Sequence, residues 1–441
     1  MLYTNKRIFI ALVFALSGFL QACNSGGGST APATGTLSGT VTTGNPATAL
    51  ANVSVIIFDA NTNAPTNSSM STDASGKYST TLNVGSYYVK LYKQGYNPVP
   101  ASALLSPVPF TITGGATTIN DVAMTASTVS NGGWITGKVS NSAGGLGGVL
   151  VAAEAAGAAY TSISDSSGNY SIFNVPAASY TVKAYIAGYS STAPAATVTA
   201  STATTTNLSV TANAAGVVPV TFNLIAQTGV TTPARMVVSL VHPVTRETIP
   251  GLSLSQNFSS SMSYSFSGVA DGSYFVRASY ANDTIVVDPD YIVKFGEPSV
   301  AVSSTTASPN PVQITATGAV GLVSPTNALS STGPVLVNGT TPTFNWNAYP
   351  SANDYVVEVM DAATGAVIWG GFNGTGTSTP SKKVTTTSTS IVYNVDGAAT
   401  AALIAGKTYR WRIYASKNDS SSLGWHLISM SEDQVGLFTV Q

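Results

Sequence analysis

The feature that most constrains the fold is an internal repeat, in which one pattern of strand and turn signals occurs twice. Its five blocks follow in the same order in segments 39–96 and 137–189. Corresponding residues lie 92 to 98 positions apart, 92 in the case of Asp73 and Asp165. That offset is the length of a whole domain, whereas solenoid units repeat every 20–50 residues or so. The chain is therefore predicted to contain two successive copies of one domain.

The blocks have the signatures of β-strands separated by tight turns. Val53, Val55 and Ile57 recur with period 2, as in a strand with one buried face. Asp73-Ala-Ser-Gly76 and its counterpart Asp165-Ser-Ser-Gly168 favour hairpins, because Asp caps a turn with its side chain and Gly accepts a positive φ. Each copy is therefore predicted to be all-β. The blocks begin at Gly39, Leu50, Asp73, Gly85 and Gly95 in the first copy, and at Gly137, Leu146, Asp165, Ala178 and Gly188 in the second.

In the order and spacing of these blocks, both copies resemble the carboxypeptidase regulatory-like (transthyretin-like) domain. The resemblance covers residues 35–126 and 132–212. It implies a Greek-key β-sandwich without an active site of its own. In zinc carboxypeptidases this domain is an appendage to a catalytic domain, and no counterpart of that catalytic domain is identified in the sequence. We therefore expect two non-catalytic modules.

Residues 215–318 are interpreted as a degenerate third copy. Gly272-Ser-Tyr274-Phe-Val276 matches Gly85-Ser-Tyr87-Tyr-Val89. The Asp-x-x-Gly hairpin is missing, and Ser259-Ser-Ser-Met-Ser-Tyr264 stands in its place. The segment is predicted to be a sandwich of similar type.

The last segment, residues 320–441, differs in character and holds four of the five tryptophans. It resembles a fibronectin type III domain, and Leu403 to Tyr409 resembles the tyrosine corner of such sandwiches. We expect Trp411 to face Trp346 in the core, because alternate residues of a strand point to opposite faces. The same period directs Tyr409 and Ile413 inward, and Arg410, Arg412 and Tyr414 outward.

The predicted fold class is all-β, with four tandem Ig-like Greek-key β-sandwiches arranged as beads on a string. Short linkers near 127–133, 212–215 and 317–322 join them. They follow a signal peptide (1–22) and a flexible tether (23–34) that is rich in Gly and Ser.

The N-terminus predicts export and lipid attachment. A basic start precedes an apolar run of 13 residues from Ile8 to Leu20, which is too short for the ~20 residues of a membrane span. Leu20-Gln-Ala-Cys23 then resembles a bacterial lipobox, which implies that Cys23, the single cysteine, is lipidated and begins the mature chain. Asn24 stands where inner-membrane retention signals carry Asp, which favours an outer-membrane lipoprotein of the cell envelope, facing either the periplasm or the cell surface. A secretory signal with a chance cysteine is the alternative.

Composition argues against nucleic acid and nucleotides as partners. Without Lys6 and Arg7 the mature chain has 15 basic and 18 acidic residues, and no Lys/Arg cluster is present to neutralise phosphates. The Gly-rich stretches 26–28 and 144–148 lack the strand-then-helix context of phosphate-binding loops. Only 8% of residues are charged, against ~25% in an ordinary soluble protein. Such a composition is typical of exported β-proteins.

No catalytic residues are predicted. The two histidines, His242 and His426, fall in different predicted domains, and no nucleophile elbow or zinc-binding spacing occurs. Paired carboxylates could still serve a glycosidase. An envelope hydrolase with unrecognised carboxylates therefore stays open as an alternative.

Three aromatic residues are the candidate ligand-binding residues. Trp369 and Phe372 lie in a glycine-flanked segment, and exposed aromatics beside loops bind sugars or proteins. The alternative for Trp369 is that it covers the core. For Trp425 we expect stacking on Arg410 or Arg412 by a cation–π contact.

Asp283, Asp288 and Asp290 are candidate calcium ligands. With Asn282 they place four oxygen donors within nine residues, and calcium takes 6–8 oxygens. The alternative is a turn whose Asx side chains cap their own backbone. No other cofactor is predicted.

Together these features predict a non-catalytic, lipid-anchored envelope protein that presents β-sandwich surfaces. Its partners would be the membrane, reached through the lipid, and envelope or extracellular proteins or glycans. Its role would be adhesion, or that of a structural subunit in a surface assembly. The first alternative is a carbohydrate-binding accessory protein that uses Trp369 and Phe372, and the second is the hydrolase.

Overall fold

The computed structural model describes residues 33–43, 47–103, 105–213, 217–224, 234–258, 261–280, 284–303, 311–327, 333–372, 383–418 and 424–441. Within these ranges the chain forms 36 strands in eight sheets and one helix of seven residues. The predicted all-β class with tandem sandwiches is confirmed. In the same ranges, no helix has the length and apolar character needed to cross a membrane.

The first sandwich encloses the fully buried Leu37, Val55 and Leu91 between its two sheets. Its strands are β1 (Thr34–Thr43), β2 (Ser54–Asp59), β3 (Ala64–Ser71), β4 (Lys77–Asn83), β5 (Gly85–Tyr92), β6 (Phe110–Ile112), β7 (Thr117–Ile119) and β8 (Val122–Met124). In one sheet β1 pairs antiparallel with β4 and parallel with β7 and β8. The other sheet has the order β3-β2-β5-β6.

The second sandwich repeats this arrangement around Ile135, Val151 and Val182. Its strands are β9 (Gly133–Asn141), β10 (Gly144–Gly145), β11 (Leu150–Ala155), β12 (Ala158–Ile163), β13 (Asn169–Val175), β14 (Ala178–Tyr185), β15 (Tyr189–Ser191), β16 (Ala195–Val198), β17 (Ala203–Thr205) and β18 (Leu208–Ala212). The opening strand β9 again pairs antiparallel with β13 and parallel with β17 and β18. The second sheet has the order β12-β11-β14-β16.

The third sandwich has the same topology in spite of its divergent sequence. Its elements are β19 (Val217–Leu224), β20 (Ala234–Val241), β21 (Thr248–Phe258), β22 (Ser261–Ser267), β23 (Gly272–Tyr280), β24 (Ile285–Val287), α1 (Pro289–Phe295), β25 (Ser299–Val302) and β26 (Val312–Gly318). Here β19 pairs antiparallel with β22 and parallel with β26. The second sheet has the order β21-β20-β23-β25. This strand order is that of the two preceding sandwiches.

One tyrosine holds the same turn in all three of these sandwiches. Tyr87, Tyr180 and Tyr274 each donate a hydroxyl hydrogen bond to the carbonyl oxygen four residues earlier, at 3.1, 2.9 and 2.8 Å. The Asp-x-x-Gly hairpins of the first two form as predicted, because Asp73 and Asp165 accept bonds from backbone N–H groups of their own turns. The block that the third copy shares with the first two therefore holds the same turn in each.

The fourth sandwich is built around tryptophan. Its strands are β27 (Leu322–Ser324), β28 (Val335–Val337), β29 (Thr343–Trp346), β30 (Asp354–Asp361), β31 (Val367–Gly370), β32 (Thr385–Thr386), β33 (Ser390–Val392), β34 (Thr408–Asn418), β35 (Trp425–Met430) and β36 (Leu437–Val440). One sheet has the order β27-β29-β33, and the other has β28-β36-β34-β30-β31 with β32 on β30 and β35 on β34.

The core of the fourth sandwich agrees with the predicted strand alternation. Trp411 is fully buried and its ring centroid lies 6.4 Å from that of Trp346. Ile413 and Tyr409 belong to the same core. The backbone N–H of Ile404 donates to the hydroxyl oxygen of Tyr409 at 2.9 Å, which is the predicted tyrosine-corner contact.

The four sandwiches do not form a string of separate beads, which corrects that part of the prediction. Phe58 and Tyr88, on the outer face of the β2–β5 sheet of the first sandwich, are buried in one apolar cluster with the core of the third sandwich. Leu150 and Ile163 of the second sandwich join the same cluster. We call this shared cluster the three-way junction. The sandwiches pack together because their outer faces are apolar, and contact between these faces removes apolar surface from water.

Candidate functional site

Two of the predicted site residues, Cys23 and Asp283, lie outside the described residues. Lipid attachment at Cys23 therefore stays a prediction. The other candidates, Trp369, Phe372, Trp425, Asp288 and Asp290, lie within the described residues.

Trp369 is a core residue with 2% of its surface exposed. Its ring packs against Tyr393 and Phe344, at centroid distances of 5.3 and 6.4 Å. The indole N–H donates to Asp396 Oδ1 at 2.8 Å. The ring therefore has no free face on which a sugar could stack. The prediction that Trp369 binds a ligand is wrong, and the alternative, that it covers the core, is the one observed.

Phe372 and Trp425 pack together at the edge of the fourth sandwich and are half-buried. Phe372 also contacts Tyr414 edge-on, with centroids 5.2 Å apart. The indole N–H of Trp425 donates to Asp354 Oδ1 at 3.1 Å. These two aromatics therefore cover a small apolar cluster of the outer sheet face.

The predicted stacking of Trp425 on Arg410 or Arg412 is wrong because of strand register. Trp425 pairs with Asn418, which is eight positions beyond Arg410 and six beyond Arg412 on β34. At a rise of about 3.3 Å per residue, these separations are roughly 26 and 20 Å. Both are far beyond the reach of a cation–π contact.

The calcium candidates that the structure describes, Asp288 and Asp290, lie at the N-terminus of helix α1. Asp288 is the N-cap of α1 and accepts from the backbone N–H of Asp290 at 3.0 Å. Asp290 Oδ2 pairs with the ammonium of Lys294, at 2.7 Å. In the described ranges, no group of three or more His, Cys, Asp and Glu side chains is arranged to hold a metal ion. The fold thus gives Asp288 the capping role that was the alternative to calcium, and it pairs Asp290 with Lys294.

Several charged residues that are removed from water lie instead where one sandwich contacts another. Glu154, on β11 of the second sandwich, accepts from His242 Nε2 of the third at 3.2 Å. It also binds Lys183 Nζ, at 2.9 Å, and the Tyr185 hydroxyl. Backbone N–H groups of residues 244–245 donate to His242 Nδ1, which leaves the Nε2 proton for Glu154. Burial alone raises the pKa of Glu154, but the bonds from His242, Tyr185 and Lys183 outweigh it and lower that pKa to about 2.

A second ion pair joins the first sandwich to the third. Lys90, on the outer face of β5, binds Glu247 in the turn before β21, and both side chains are largely buried. The Lys90 ammonium also lies 5.0 Å from the ring centroid of Phe58, inside the three-way junction. The pair fixes the register of a contact that is otherwise apolar.

The third and fourth sandwiches meet end to end. Thr317 and Tyr349 share a hydrogen bond of 3.0 Å, and the Ser429 hydroxyl donates to the carbonyl oxygen of Gly318 at 2.6 Å. Asp290 of α1 lies 3.6 Å from His426 Nε2 on β35. This set of contacts leaves little freedom at the predicted 317–322 linker.

A segment of the first sandwich also reaches the fourth, and we call this segment, residues 105–109, the strap. The side chain of Leu105 fills the space beside Gly365, where an added Cβ would lie 2.0 Å from Leu105 Cδ1. Gly365 has a φ of +68° and closes a turn in which Asp361 accepts from backbone N–H groups. The absence of a side chain at Gly365, in the turn between β30 and β31, thereby leaves the space that Leu105 of the strap occupies.

Hydrogen bonds hold the rest of the strap. The Ser106 hydroxyl donates to Asp433 Oδ2 at 2.6 Å. Arg410 Nη2 and Gln434 Nε2 both donate to the carbonyl oxygen of Pro107, at 3.4 Å each. We call Gly365, Arg410, Asp433 and Gln434 the strap site.

The strap site contains two charged residues, the fully buried Arg410 and the partly buried Asp433. Arg410 is 0% exposed, and burial lowers the pKa of its guanidinium to about 10. Burial raises the pKa of Asp433, but Arg412 and Arg410 attract the carboxylate and hold the net pKa below its usual value. Burial, together with the neighbouring Asp433, raises the pKa of Glu432 to about 8.

The side chains of β34 that were predicted to point away from the core do so, but they do not face solvent. Arg410 and Tyr414 lie opposite the tryptophan core, as the two-residue period requires, yet both are buried. Arg412 Nε pairs with Asp433 Oδ1 at 2.7 Å on the same face. The expectation of exposure was wrong because the strap and the turn that contains Asp433 cover Arg410, while Phe372 packs over Tyr414.

Comparisons with known structures return bacterial proteins, among them pilins, at low similarity. The Bacillus anthracis TIE protein is 13% identical, over 65% of this chain and 51% of that chain, with a TM-score of 0.17. The shaft pilin SpaA of Lactobacillus rhamnosus GG is 12% identical over 41% and 98%, with a TM-score of 0.19. The major pilin subunit BcpA of Bacillus cereus is 12% identical over 65% and 99%, with a TM-score of 0.18. At these TM-scores the similarities carry no argument about this chain.

The sequence comparisons concern one sandwich. No curated protein matches the chain. The family model of the carboxypeptidase regulatory-like domain matches residues 134–213. This match coincides with the second copy of the repeat, so the second sandwich is similar to the carboxypeptidase regulatory-like domain, as the spacing of its blocks predicts.

Proposed function

We propose that this protein is a non-catalytic, lipid-anchored protein of the cell envelope, whose four sandwiches act as one rigid body that presents surfaces for protein–protein or adhesive contacts. The observation that carries the proposal is the packing between sandwiches. An apolar junction joins the first three, and hydrogen bonds and charged groups tie the fourth to the third and to the first. A body of this kind holds its end loops in fixed relative positions, which suits a scaffold better than a set of independent binding modules.

The chemistry of the buried polar groups supports a structural role. Glu247 and Asp433 are engaged by an ammonium and a hydroxyl group of the first sandwich, and Glu154 is engaged by His242 of the third. A carboxylate held in this way fixes an interface and is not poised to exchange protons with a substrate. In this proposal the charged side chains set the geometry and the outer surfaces make the contacts.

The anchor is tested by Cys23→Ser. The variant is expected to leave the membrane fraction and to appear in the soluble fraction, because stable anchoring needs acyl chains that only the cysteine can carry. Thermal unfolding of the two forms should coincide, since the residue precedes all the described strands. A variant that still fractionates with membranes after a high-salt wash would contradict the lipoprotein proposal.

The contact function is tested by capture from envelope fractions with the lipidated wild-type protein. We expect specific protein or glycan partners to be retained, and the same partners to be lost when the rigid body is loosened by Phe58→Ala at the three-way junction. The matched control is Ile119→Ala, which changes a side chain that is 64% exposed. Equal capture by the wild type and Phe58→Ala would contradict the need for a rigid body.

A further inference from the structure

We infer that the strap site is a docking site for an extended peptide segment of a partner protein, and that the strap occupies it as an internal ligand. The segment that fits has a leucine-like residue, then Ser or Thr, and then a residue that offers a backbone N–H. The inference deepens the proposed function, on which it rests, by naming one contact surface and the chemistry of its partner.

The strap is held as a peptide ligand is held, one residue after another. Leu105 enters the space beside Gly365, the hydroxyl of Ser106 donates to Asp433, and the carbonyl oxygen of Pro107 accepts from Arg410. The strap contains neither helix nor strand. A segment without secondary structure can be exchanged for another of the same chemistry without breaking a sheet ladder.

The strap leaves two buried atoms of its site unsatisfied. In the part of the chain that the structure describes, Arg410 Nη1 and Gln434 Oε1 have no hydrogen-bond partner. Pro107 and Pro109 cannot supply a donor to Gln434, because proline has no backbone N–H. Buried polar atoms without partners are unfavourable. The strap is thus an imperfect ligand, and we expect a segment with a non-proline residue in the place of Pro107, which has an N–H to offer to Gln434, to bind the site more tightly.

The contact is also of a kind that can be released. It is made by one short segment, and two of its hydrogen bonds are 3.4 Å long. Arg410 and Asp433 regain hydration when the strap leaves, which offsets part of the interaction that is lost. The fourth sandwich keeps its place without the strap, because Thr317, Ser429 and the helix α1 hold it against the third.

The test uses the full mature chain and two synthetic peptides, one of residues 101–109 and one with Pro107→Ala. Three proteins are compared by fluorescence anisotropy: the wild type, a strap-disabled variant (Leu105→Asp with Ser106→Ala), and that variant with Gly365→Asn added. Asn tolerates the positive φ of Gly365, and its side chain occupies the place of Leu105.

We expect the strap-disabled variant to bind both peptides. It should bind the Pro107→Ala peptide about fivefold more tightly than the other, because that peptide can form one additional hydrogen bond. The wild type should bind them at least about tenfold more weakly, because its own strap competes. Gly365→Asn should reduce binding by a similar factor. Should the double substitution prevent folding, Leu105→Ala is the milder variant and is expected to lie between the wild type and the strap-disabled form.

The inference is overturned if a folded strap-disabled or Leu105→Ala chain binds neither peptide, if the wild type binds as tightly as they do, or if Gly365→Asn leaves binding unchanged. Equal affinity for the two peptides would overturn the assignment of the missing donor. None of these outcomes bears on the release of Cys23→Ser from membranes, so failure of the inference and failure of the proposed function are distinguishable.

Discussion

The first sandwich meets the third through an apolar surface and the fourth through a polar one. At the three-way junction the rings of Phe58 and Tyr88 stack with centroids 5.1 Å apart, and both are buried. At the strap site the packing of Leu105 beside Gly365 is accompanied by hydrogen bonds to the charged residues Arg410 and Asp433. Apolar burial stabilises by roughly 25 cal/mol per Å², whereas a buried charge must first lose its hydration. The difference indicates that the apolar interface contributes mainly to stability, whereas the polar interface contributes mainly to selectivity.

The two interfaces also differ in their expected response to pH. Glu154, whose bond to His242 joins the second sandwich to the third beside the junction, has a lowered pKa, so its contribution to stability is lost on acidification. Glu432 beside the strap site has a raised pKa, so its contribution is lost as the pH rises. Acid should therefore weaken the junction while base weakens the neighbourhood of the strap site.

The largest expected effect is that of Phe58→Ala. Removing a buried ring from the junction should lower the free energy of unfolding by about 3–5 kcal/mol and should loosen the third sandwich from the first. Denaturant unfolding and limited proteolysis measure the two effects. Ile119→Ala on the exposed face of β7 should change stability by less than about 0.5 kcal/mol. Similar losses in the two variants would contradict the apolar junction.

Glu154→Gln should have the next largest effect. Loss of the charged bonds to Lys183 and His242 should destabilise the protein by about 1–3 kcal/mol at neutral pH. The pKa of Glu154 is about 2 when folded, against 4.5 ordinarily, so its stabilisation is present above pH 4.5 and fades between 4.5 and 2. The variant should therefore lose less stability than the wild type in that window. Parallel curves of the unfolding midpoint against pH would show that Glu154 is not responsible.

Glu432→Gln should act in the opposite direction along the pH scale. The pKa of Glu432 is about 8 when folded, against 4.5 ordinarily, so its favourable contribution is present below 4.5 and is lost as the pH rises toward 8. Glutamine keeps an oxygen to accept from the backbone N–H of Gln434. The unfolding midpoint of the variant should fall less between pH 5 and 8 than that of the wild type. An equal fall would exclude Glu432 as its source.

Leu105→Ala should have the smallest effect on stability. The half-buried side chain packs on the turn at Gly365, so its truncation should cost about 1 kcal/mol and should mainly speed proteolytic cleavage within the strap. Cleavage sites identified by mass spectrometry provide the measurement. Val84→Ala, at a side chain that is 50% exposed, is the matched control. Unchanged cleavage in Leu105→Ala would show that this residue does not hold the strap.

Much of the fold could be predicted because it depends on local chemistry. The hairpin at Asp73 and the tyrosine corner at Tyr409 follow from side chains that bond to the nearby backbone. The inward direction of Trp411 follows from the two-residue period of its strand. These features need no knowledge of which sandwich lies beside which.

The sequence contains one signal of the junction that the period-2 interpretation missed. The strand β2 is apolar at consecutive positions from Val55 to Phe58, and its residues are buried on both faces. A run of this kind is typical of a strand covered on both sides. It indicates that a covering surface exists, but it does not identify the third sandwich as that surface.

What the sequence by itself determined is the all-β class, the repeat and the inward face of each sandwich, because strand period and turn chemistry act over a few residues. Only the tertiary structure decided which outer faces meet. Glu154 and His242 are 88 positions apart, and Arg410 lies 303 positions from the proline carbonyl that it binds. Trp369 became a core residue and Arg410 a buried one for the same physical reason: exposure is a property of what the rest of the chain places over a side chain, and this is not encoded in its neighbours.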